Sequence, residues 1–322
     1  MKRVYGVEQI ERSGAARVTI GTFDGVHLGH RTIIEYLVER ARTLGGESVV
    51  VSFDPHPRDV LTQDPMPLLT TIEERARKLE AAGLDRFVVL PFTPAFAQME
   101  ADVFVREVLW ERLGAQEVVI GYDHAFGNRR AGDAALLQRL GEELGFAVDV
   151  IPAQLLAEHV ISSTEIRRRL HAGQVAQAAE LLGSPYSLEG PVVHGDHRGR
   201  TIGFPTANIA VSHPKKLIPK RGVYAVWAYP AGETTRWPGM MNVGVRPTFD
   251  GEEVRLEVHL IGADLDLYDT VLRVEFVEHV RDERKFDTIE ALVAQLAADQ
   301  AHCTKRLHAL SSDDMHAKHQ GD

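Results

Sequence analysis

The sequence "RVTIGTFDGVHLGHRTIIEYLV" (17–38) decides the fold of the first half of the chain. Its residues 18–20 are β-branched and predict a strand, whereas the apolar residues of 33–38 recur at helical spacing. A glycine-containing turn separates the two, so His27 and His30 fall in or near the first helical turn and share one face. The free N–H groups at a helix start favour an anion. The stretch therefore predicts an anion site between a strand and a helix.

The rest of the first half repeats this alternation of strand and helix. Short apolar runs that predict buried strands are "RVTIG", "SVVVSF", "RFVVLPF", "EVVIGYD" and "FAVDVIP". Longer amphipathic runs that predict helices are "HRTIIEYLVERARTLG", "TIEERARKLEAAG", "ADVFVREVLWERLG" and "DAALLQRLGEELG". Such alternation is typical of a doubly wound parallel sheet with helices on both faces, an α/β fold. Its ligands bind at the carboxyl ends of the strands, where "GTFDGVHLGH" and "GYDHAFG" lie.

The pattern of predicted elements changes near residue 186, where strands begin to predominate. The runs "YSLEGPVVHG", "GVYAVWAY", "RWPGMMNVG", "VRLEVHLIG" and "VLRVEFVEHV" are separated by Gly and Pro, as in a small antiparallel β-barrel. One terminal helix follows, "TIEALVAQLAADQAHCTKRLHAL". We therefore expect one domain over 1–183, a second over 184–310, and a polar, disordered tail over 311–322.

Composition limits the functions that are open to the chain. Its 322 residues are 44% hydrophobic and 25% charged, as in globular proteins, and its net charge of −10 argues against a general nucleic-acid binder. The single cysteine, Cys303, excludes an internal disulfide and a cysteine-rich zinc site. The first residues lack the apolar core of a signal peptide, and no apolar run reaches membrane-spanning length. We therefore expect a cytoplasmic protein without membrane partners.

The histidine pair has more than one interpretation when it is taken alone. A capped, solvated turn explains it about as well as a functional site does, and a metal site would lack a third nearby ligand. The chain also lacks the Gly-rich loop ending in GK[ST] that a P-loop requires. Thr22, Gly25 and Gly29 nevertheless keep the turn narrow enough for a phosphate to approach the backbone. These neighbours favour a phosphate site, where histidine donors stabilise charge on a reacting phosphate.

The turn resembles the HxGH signature of the nucleotidylyltransferase superfamily, and "FDGVHLGH" is similar to the adenylyltransferase half of bacterial bifunctional riboflavin kinase/FAD synthetases. Three further stretches are similar to that family: "SFDPHPRDVL" (52–61), "GYDHAFGNRRAGD" (121–133) and "ISSTEIRRRL" (161–170). The resemblance implies a Rossmann-like domain in which an FMN phosphate oxygen attacks ATP without a covalent enzyme intermediate. The implied ATP-binding residues are Gly21, Phe23, Asp24, Gly25, His27, His30, Asp123, Ser162, Ser163, Thr164 and Arg167, with His27 and His30 catalytic. The implied flavin-binding residues are Pro55, His56 and Pro57.

Physical chemistry supports one of these stretches, and another departs from the pattern. "SSTEIR" is an N-cap followed by a first helical turn, with hydroxyl and backbone donors for phosphates, and Arg167 adds a fixed positive charge. The alternative to a phosphate-binding role is an ordinary helix start with a solvated arginine cluster. At 124–125, relatives carry an aromatic and a polar residue, whereas this chain has His124 and Ala125. Flavin contacts at these two positions are therefore in question.

A second group of candidate residues lies in the strand-rich half. "GPVVHGDHRGRTIGFPTANI" (190–209) is a Gly-rich bend that could wrap nucleotide phosphates or be an ordinary long loop. Thr206 and Asn208 share one face if extended, and both offer the neutral oxygen ligands that Mg²⁺ accepts beside substrate phosphates. In "VRLEVHL" (254–260), Glu257 is either part of a solvated strand edge or a general base that deprotonates a hydroxyl.

These stretches resemble the riboflavin kinase domain, which shares "GRxxGFPTAN", "GVYAV", "MNVGVRPTF", "E-V-H-L" and "R-x-E-x-KF" in this order. The resemblance implies Thr206 and Asn208 on Mg-ATP and Glu257 as the base for the terminal ribityl hydroxyl. The implied ATP-binding residues are Gly195, Arg200, Thr206, Asn208, Leu260 and Tyr268, and the implied riboflavin/FMN-binding residues are Arg281, Arg284 and Phe286. Arg200 stands where relatives carry Lys, and Asp269 replaces the Gly of "DLYG".

The leading hypothesis is one chain with two ATP-dependent activities, riboflavin to FMN and FMN to FAD plus pyrophosphate, with Mg²⁺ as cofactor. A flavin- or nucleotide-binding regulator with one inactive half is the alternative, but it predicts the loss of a signature residue, and none is lost. An RNA-linked role, by analogy with synthetases that share the HxGH turn, is disfavoured by the acidic balance. The expected partners are small molecules only, and the expected state is a monomer or a weak homo-oligomer.

Overall fold

The computed structural model describes residues 1–62, 66–152, 161–195, 198–233, 235–248, 251–263 and 265–318. At 198, 246–248, 251–253 and 311–318 it describes the backbone alone. The chain forms two compact units, which divide between Ser163 and Thr164. This division lies earlier than the expected boundary after residue 183. The reason is that the helix preceding that boundary packs on strands of the second unit.

The N-terminal unit contains a six-stranded sheet in the order β1-β4-β3-β2-β5-β6, and every pair in it is parallel. The strands are β1 (Lys2–Tyr5), β2 (Ala16–Ile20), β3 (Glu47–Asp54), β4 (Arg86–Pro91), β5 (Ala115–Gly121) and β6 (Ala147–Ile151). The helices are α1 (Leu28–Leu44), α2 (Pro57–Leu61), α3 (Ile72–Ala81), α4 (Ala101–Val103), which continues as a π-helical segment (Phe104–Arg112), and α5 (Ala134–Leu144). The predicted doubly wound sheet is confirmed.

Two separate cores explain why the sheet is covered on both faces. Alternate strand residues point to opposite faces, so Val49 and Val51 pack in one core and Val50 in the other. The first core contains the π-helical segment and α5, and the second contains α1 and α3. The central strands are therefore apolar on both faces, which gives the continuous apolar runs of the sequence.

The sequence analysis missed two elements of this unit. Strand β1 is at the edge of the sheet, and only Val4 of its four residues is buried, so it gives no apolar run. Helix α2 has five residues and no buried side chain. Strand β1 depends on its pairing with β4, and helix α2 depends on its N-cap. Hydrophobic periodicity reveals neither interaction.

The C-terminal unit is a closed barrel in the order β10-β11-β8-β7-β12-β9, with antiparallel pairs throughout. Helix α6 (Ser163–His171) spans the division between the units, and α7 (Val175–Leu182) follows. The remaining elements are β7 (Tyr186–Val193), α8 (Arg198–Thr201), β8 (Ala207–Ile209), β9 (Gly222–Pro230), β10 (Trp237–Thr248), β11 (Gly251–Leu260), β12 (Val271–Arg281) and α9 (Ile289–Lys318). The predicted barrel with a terminal helix is confirmed.

Strand β9 has one face that packs against α9 and another that lies inside the barrel. Val223, Ala225 and Trp227 of β9 form a cluster with Cys303 and Leu307 of α9. The intervening Tyr224 contacts Phe276 of β12, ring centroid to ring centroid at 5.1 Å, so these two side chains share the opposite face. Helix α9 thus covers part of one barrel face, while the alternate residues fill the barrel.

Helix α9 is longer than the sequence predicts. Residues 311–318, assigned above to a disordered tail, continue the helix to Lys318, and 319–322 lie outside the described residues. The segment 289–318 contains neither Gly nor Pro, so nothing in its sequence ends the helix where the apolar pattern stops.

Candidate active sites

The turn between β2 and α1 has a backbone conformation that side chains rarely adopt. Phe23 and Val26 have φ values of 48° and 46°, and Gly25 between them has a φ of 87°. Each such non-glycine residue costs on the order of 1–3 kcal/mol, and the cost is greatest for a β-branched one. The Val26 amide donates to the Phe23 carbonyl at 3.0 Å and closes the turn. The surrounding structure must therefore hold this turn in place.

Asp24 is the residue that anchors the turn from beneath. It is 1% exposed, and its carboxylate accepts hydrogen bonds from the Leu69 and Thr70 amides at 3.0 and 2.8 Å. The Thr70 hydroxyl also donates to it and accepts from the Gly25 amide at 2.9 Å. The sequence analysis assigned Asp24 to ATP. In the structure its carboxylate fixes the turn, and its role in ATP binding stays a prediction.

Arg75 of α3 completes this anchor, and the sequence analysis missed it. Its guanidinium lies 3.6 Å from the Asp24 carboxylate and donates to the Ser52 hydroxyl at 3.1 Å and the Thr70 carbonyl at 3.3 Å. Burial lowers its pKa, and its Nε has no hydrogen-bond partner among the described residues. Arg75 stands among other charged residues in "TIEERARKLE", so no sequence signal distinguishes it.

His27 and His30 lie together at the start of α1, as their spacing predicts. His27 is the N-cap, and its Nδ1 accepts the His30 amide at 3.3 Å. The two rings stack with centroids 3.5 Å apart, and Phe23 contacts the His30 ring edge-on at 5.1 Å. Burial, with His27 and Arg75 nearby, holds the pKa of His30 well below its usual value. A stacked imidazole pair therefore stands at a helix N-terminus.

The "ISSTEIRRRL" stretch forms the start of α6. Ser162 directly precedes the helix, and the Ser163 hydroxyl donates to the Asp24 carbonyl at 3.0 Å, beside the turn. Arg168 and Arg169 pair with Glu165 at 2.6 and 2.7 Å and lower its pKa to about 2.

Arg167 is buried, unlike its two neighbours in sequence. Thr164 and Arg167 belong to the C-terminal unit, whereas Ser162 and Ser163 belong to the N-terminal one. The roles of all four residues stay predictions.

An aromatic array lies at the carboxyl ends of the strands near the predicted flavin segment. Phe53, Phe92 and Phe96 form edge or tilted contacts at 5.6 to 6.0 Å, and the array continues to Phe104 and Phe126, both steps 6.1 Å. Phe53 is followed by Asp54 and then by Pro55, His56 and Pro57, where α2 begins. His56 is the N-cap of α2 and accepts the Arg58 amide at 3.2 Å. Phe104 and Phe126 belong to the core of this unit, and Phe53 and Phe96 pack against it.

The "GYDHAFGNRRAGD" loop follows β5 and contains His124 in place of an aromatic residue. The His124 ring stacks on Phe126 at 5.8 Å, so the imidazole extends the aromatic array. Burial lowers its pKa to about 4, and its Nε2 has no hydrogen-bond partner in the described part of the chain. Asp123 is exposed. A Cβ on Gly132 would meet the Phe126 ring at 2.7 Å, which explains the glycine of the pattern.

The C-terminal unit has a cavity of about 460 Å³ on the barrel face toward α9. Its lining residues include Thr206, Asn208, Asn242, Glu257, His259, Arg281, Arg284, Phe286, Leu292 and Leu296. Asn208 of β8 and Asn242 of β10 are both register partners of Glu257 on β11. Three polar side chains therefore stand side by side across three strands, with the carboxylate in the middle.

The loop that carries Thr206 is fixed by a histidine and two glycines. His259 Nδ1 donates to the Pro205 carbonyl at 2.8 Å, and its ring contacts Phe204 edge-on at 5.4 Å. A Cβ on Gly195 would lie 2.2 Å from Asn208 Nδ2, and one on Gly199 would lie 2.2 Å from the Phe204 carbonyl. The glycine-rich bend is thus pressed against the predicted magnesium ligands, whose oxygen donors and cradle fit a Mg²⁺ ion.

Four predicted ATP-binding residues, one of which is Gly195, lie outside the cavity lining. Leu260 alternates with Glu257 and His259 along β11 and is buried on the opposite face. Tyr268 stacks on His194 at 4.2 Å, and Arg200 is an exposed residue of α8. Asp269, which replaces a family glycine, has a φ of 60°, a conformation that glycine adopts without strain.

The predicted flavin residues of the C-terminal unit do line the cavity. The guanidinium groups of Arg281 and Arg284 lie 5.8 and 4.6 Å from the Phe286 ring centroid. Asn242, which the sequence analysis quoted within "MNVGVRPTF" without a role, was missed. Its amide makes no hydrogen bond to the described residues and faces the same cavity as Glu257. Its pairing with β11 could be found from strand register, which a single sequence does not give.

The described residues lack two features, a membrane-spanning helix and a cluster of metal-binding side chains. No helix there is both long enough and apolar enough to cross a bilayer. No group of three or more His, Cys, Asp or Glu side chains there is arranged to hold a metal ion. The predicted magnesium ligands, a hydroxyl and an amide, are not of those residue types.

Comparison with known proteins matches both halves of the chain. The FAD synthetase family model matches residues 9–165, and the riboflavin kinase model matches residues 182–307. The bifunctional riboflavin kinase/FMN adenylyltransferase of Escherichia coli K12 is 38% identical over 303 residues, covering 93% of this chain and 95% of that protein. The protein of the same name from Pseudomonas fluorescens is 39% identical, covering 94% and 96%.

A solved structure shows the same two-part architecture. A protein from Streptococcus pneumoniae, described as a macrolide-efflux protein, aligns with a TM-score of 0.84 and 32% identity over 94% of this chain and 98% of that one. The predicted family, and the riboflavin kinase and FMN adenylyltransferase activities predicted with it, are confirmed by the family models and the curated relatives. The chain belongs to the family of bacterial bifunctional riboflavin kinases/FMN adenylyltransferases.

Proposed function

We propose that the C-terminal unit phosphorylates riboflavin to FMN, and that the N-terminal unit then transfers AMP from ATP to FMN, giving FAD and pyrophosphate. The observation that carries the proposal is the position of Glu257 between Asn208 and Asn242 on one cavity face. A carboxylate beside neutral oxygen ligands suits deprotonation of an alcohol next to a metal-bound nucleotide. The stacked histidines of α1 provide the second phosphate site.

In the kinase step, Glu257 acts as general base. It accepts the proton of the terminal ribityl hydroxyl as that oxygen bonds to the γ-phosphorus of ATP, and the bond from that phosphorus to ADP breaks. Thr206 and Asn208 would hold Mg²⁺, which would neutralise phosphate charge. Gly195, Arg200, Leu260 and Tyr268 lie outside the cavity lining, and their roles in ATP binding stay predictions.

In the adenylyl transfer step, an FMN phosphate oxygen attacks the α-phosphorus of ATP, and pyrophosphate leaves. The attacking oxygen is already anionic, so no general base is required. His27 and His30, with the backbone amides at the start of α1, stabilise the charge on the reacting phosphate. Gly21, Gly25 and the strained turn allow the phosphates to approach the backbone. The contacts of Phe23, Asp123, Ser162, Ser163, Thr164 and Arg167 with ATP stay predictions.

The aromatic array supports a flavin subsite in the N-terminal unit. Its ring edges and faces suit an isoalloxazine ring, and Pro55, His56 and Pro57 border it at the end of β3. In the C-terminal unit, Arg281, Arg284 and Phe286 form the corresponding flavin wall of the cavity. We keep the expected cytoplasmic location, the monomeric or weakly associated state, and the absence of nucleic-acid and membrane partners as proposals.

The test is a chromatographic assay of the purified protein with riboflavin, ATP and Mg²⁺, and then with FMN in place of riboflavin. FMN and FAD should form in the first reaction and FAD in the second. FMN alone would leave the first half with a binding role. Flavin binding without any product would favour the regulator.

Two substitutions assign the steps to their sites. Glu257→Gln should reduce FMN formation by at least about a hundredfold, because the proton acceptor is lost, while FAD formation from supplied FMN continues. His30→Ala should have the reverse effect. Loss of both activities from either single change would contradict the assignment to two sites.

A further inference from the structure

A polar network joins α9 to the segment that carries the predicted flavin residues of the barrel. Asp299 of α9 is 2% exposed, and its Oδ2 accepts the Nε and one terminal nitrogen of Arg281 at 2.8 and 2.7 Å. The other terminal nitrogen of Arg281 donates to the Asp282 carbonyl at 3.0 Å. The Arg281 guanidinium is thus held by fixed acceptors, two of its contacts coming from one buried carboxylate.

The network continues along α9 to the second arginine of the wall. The Gln295 side-chain amide donates to Asp299 Oδ1 at 2.6 Å, and its carbonyl oxygen accepts from Arg284. Gln295 and Asp299 are four residues apart and therefore lie on the same side of the helix. Arg281 and Arg284 both approach the Phe286 ring. Two α9 side chains thus fix the two cations that flank the ring.

We infer that Asp299 and Gln295 are positioning residues for the kinase reaction. Neither lines the cavity, so they act through Arg281 and Arg284, which do. A guanidinium whose donors are already partly satisfied is held in one place and presents its remaining surface and the adjacent ring to a planar ligand. Without Asp299, Arg281 would be left beside α9 without its charge partner. This inference rests on the proposed role of the Arg281–Phe286 wall in flavin binding.

The experiment measures riboflavin KM and kcat in Asp299→Asn and Gln295→Ala. Both variants should raise the riboflavin KM, by about tenfold for Asp299→Asn, and change kcat by less than about twofold, because the lost interaction is made in the bound ground state. Asp299→Glu should recover part of the KM. The FMN adenylyltransferase activity of the same chain is an internal control and should stay unchanged.

Glu278→Gln is the matched control variant. Glu278 of β12 also pairs with α9, through His302 and Arg306 at 2.8 Å each, but it does not line the cavity. This change removes a β12–α9 ion pair without touching the Arg281 network. The riboflavin KM of the control should equal that of the unmodified protein. An equal rise in KM in control and test variants would contradict a positioning role.

Cys303 separates loss of positioning from detachment of the helix. It is one turn beyond Asp299, fully buried, and the only cysteine of the chain, so a thiol reagent reports on the docking of α9. Gln295→Ala, which leaves the charges near Cys303 unchanged, should leave Cys303 as protected as in the unmodified protein. If KM rises only together with thiol exposure, α9 has detached and the inference is wrong.

Phe286→Ala separates a failure of the positioning role from a failure of the proposed flavin-binding role of the wall. If this change leaves the riboflavin KM unaltered, the flavin wall itself is wrongly assigned. If Phe286→Ala raises KM and Asp299→Asn does not, the wall stands and the positioning role is overturned. A rise in both, with the Glu278→Gln control unaffected, supports the network.

Discussion

His124 is the residue at which acid should act most directly on the N-terminal unit. Burial lowers its pKa to about 4, against an ordinary value near 6.5, so the folded protein binds a proton there less readily than the unfolded chain does. Its stabilising contribution is therefore complete above pH 6.5 and is lost as the pH falls towards 4. At pH 5 the loss amounts to about 2 kcal/mol of the free energy of unfolding.

His124→Phe removes this titration and restores an aromatic ring on Phe126. We expect the fall in the free energy of unfolding between pH 7.5 and pH 5 to be about 2 kcal/mol smaller in the variant, measured by urea unfolding. His30 also has a lowered pKa, so some pH dependence should remain in both proteins. An identical pH dependence in the two proteins would show that His124 is not buried as a neutral group.

Substitution of Gly195 shows whether the bend after β7 positions the side chain of Asn208 on β8. A Cβ at this position would lie 2.2 Å from Asn208 Nδ2 and 3.0 Å from its Oδ1, so Gly195→Ala must displace the amide or the bend. Riboflavin kinase activity should fall by at least about tenfold, and the ATP KM should rise, because Asn208, a predicted Mg²⁺ ligand, would be displaced. Measurement of both activities checks this, since FAD formation from FMN should be unaffected.

Gly203 provides the control for that substitution. It lies in the same loop, and a Cβ there would meet no atom within 4 Å, although its φ of 85° gives Gly203→Ala a backbone cost. Gly203→Ala should therefore retain more kinase activity than Gly195→Ala, even if it lowers stability. Equal losses in the two variants would indicate a general effect on the loop.

Elements with strong hydrophobic periodicity could be predicted from the sequence, and those formed by pairing or capping could not. Strands such as β3 and helices such as α1 match their apolar patterns, because an element that buries one or two faces needs apolar residues at regular spacing. Edge strand β1 and helix α2 have almost no buried residues. The end of α9 was misplaced because helix length there does not depend on an apolar face.

The candidate sites divide in the same way. His27, His30 and Glu257 carry recognisable chemistry at recognisable spacing, so they can be predicted as site residues from the sequence alone. Arg75 and Asp299 were missed because each matters through a contact with residues distant in sequence, Asp24 and Arg281 respectively. Long-range pairing of buried charges has no local pattern.

The single cysteine makes unfolding of the chain directly measurable. Cys303 is fully buried, and burial with Asp299 and Glu278 nearby raises its thiol pKa to about 12. Only the thiolate reacts, so the native protein should be labelled at least about a hundredfold more slowly than a free thiol at pH 8. The labelling rate should rise across the urea transition of the C-terminal unit. Rapid labelling of the native, active protein would contradict the packing of α9 on the barrel.

The alternation of faces along β11 has a consequence for how the gene can change. Glu257 and His259 line the cavity, while Leu256, Val258 and Leu260 lie on the opposite, buried face. Inserting or deleting one codon in this strand would exchange the two sets, placing a carboxylate in the barrel core and an aliphatic side chain where the base stands. Length variation among functional descendants of this gene should therefore be confined to connections such as the one between β9 and β10, and β11 should diverge by substitution alone.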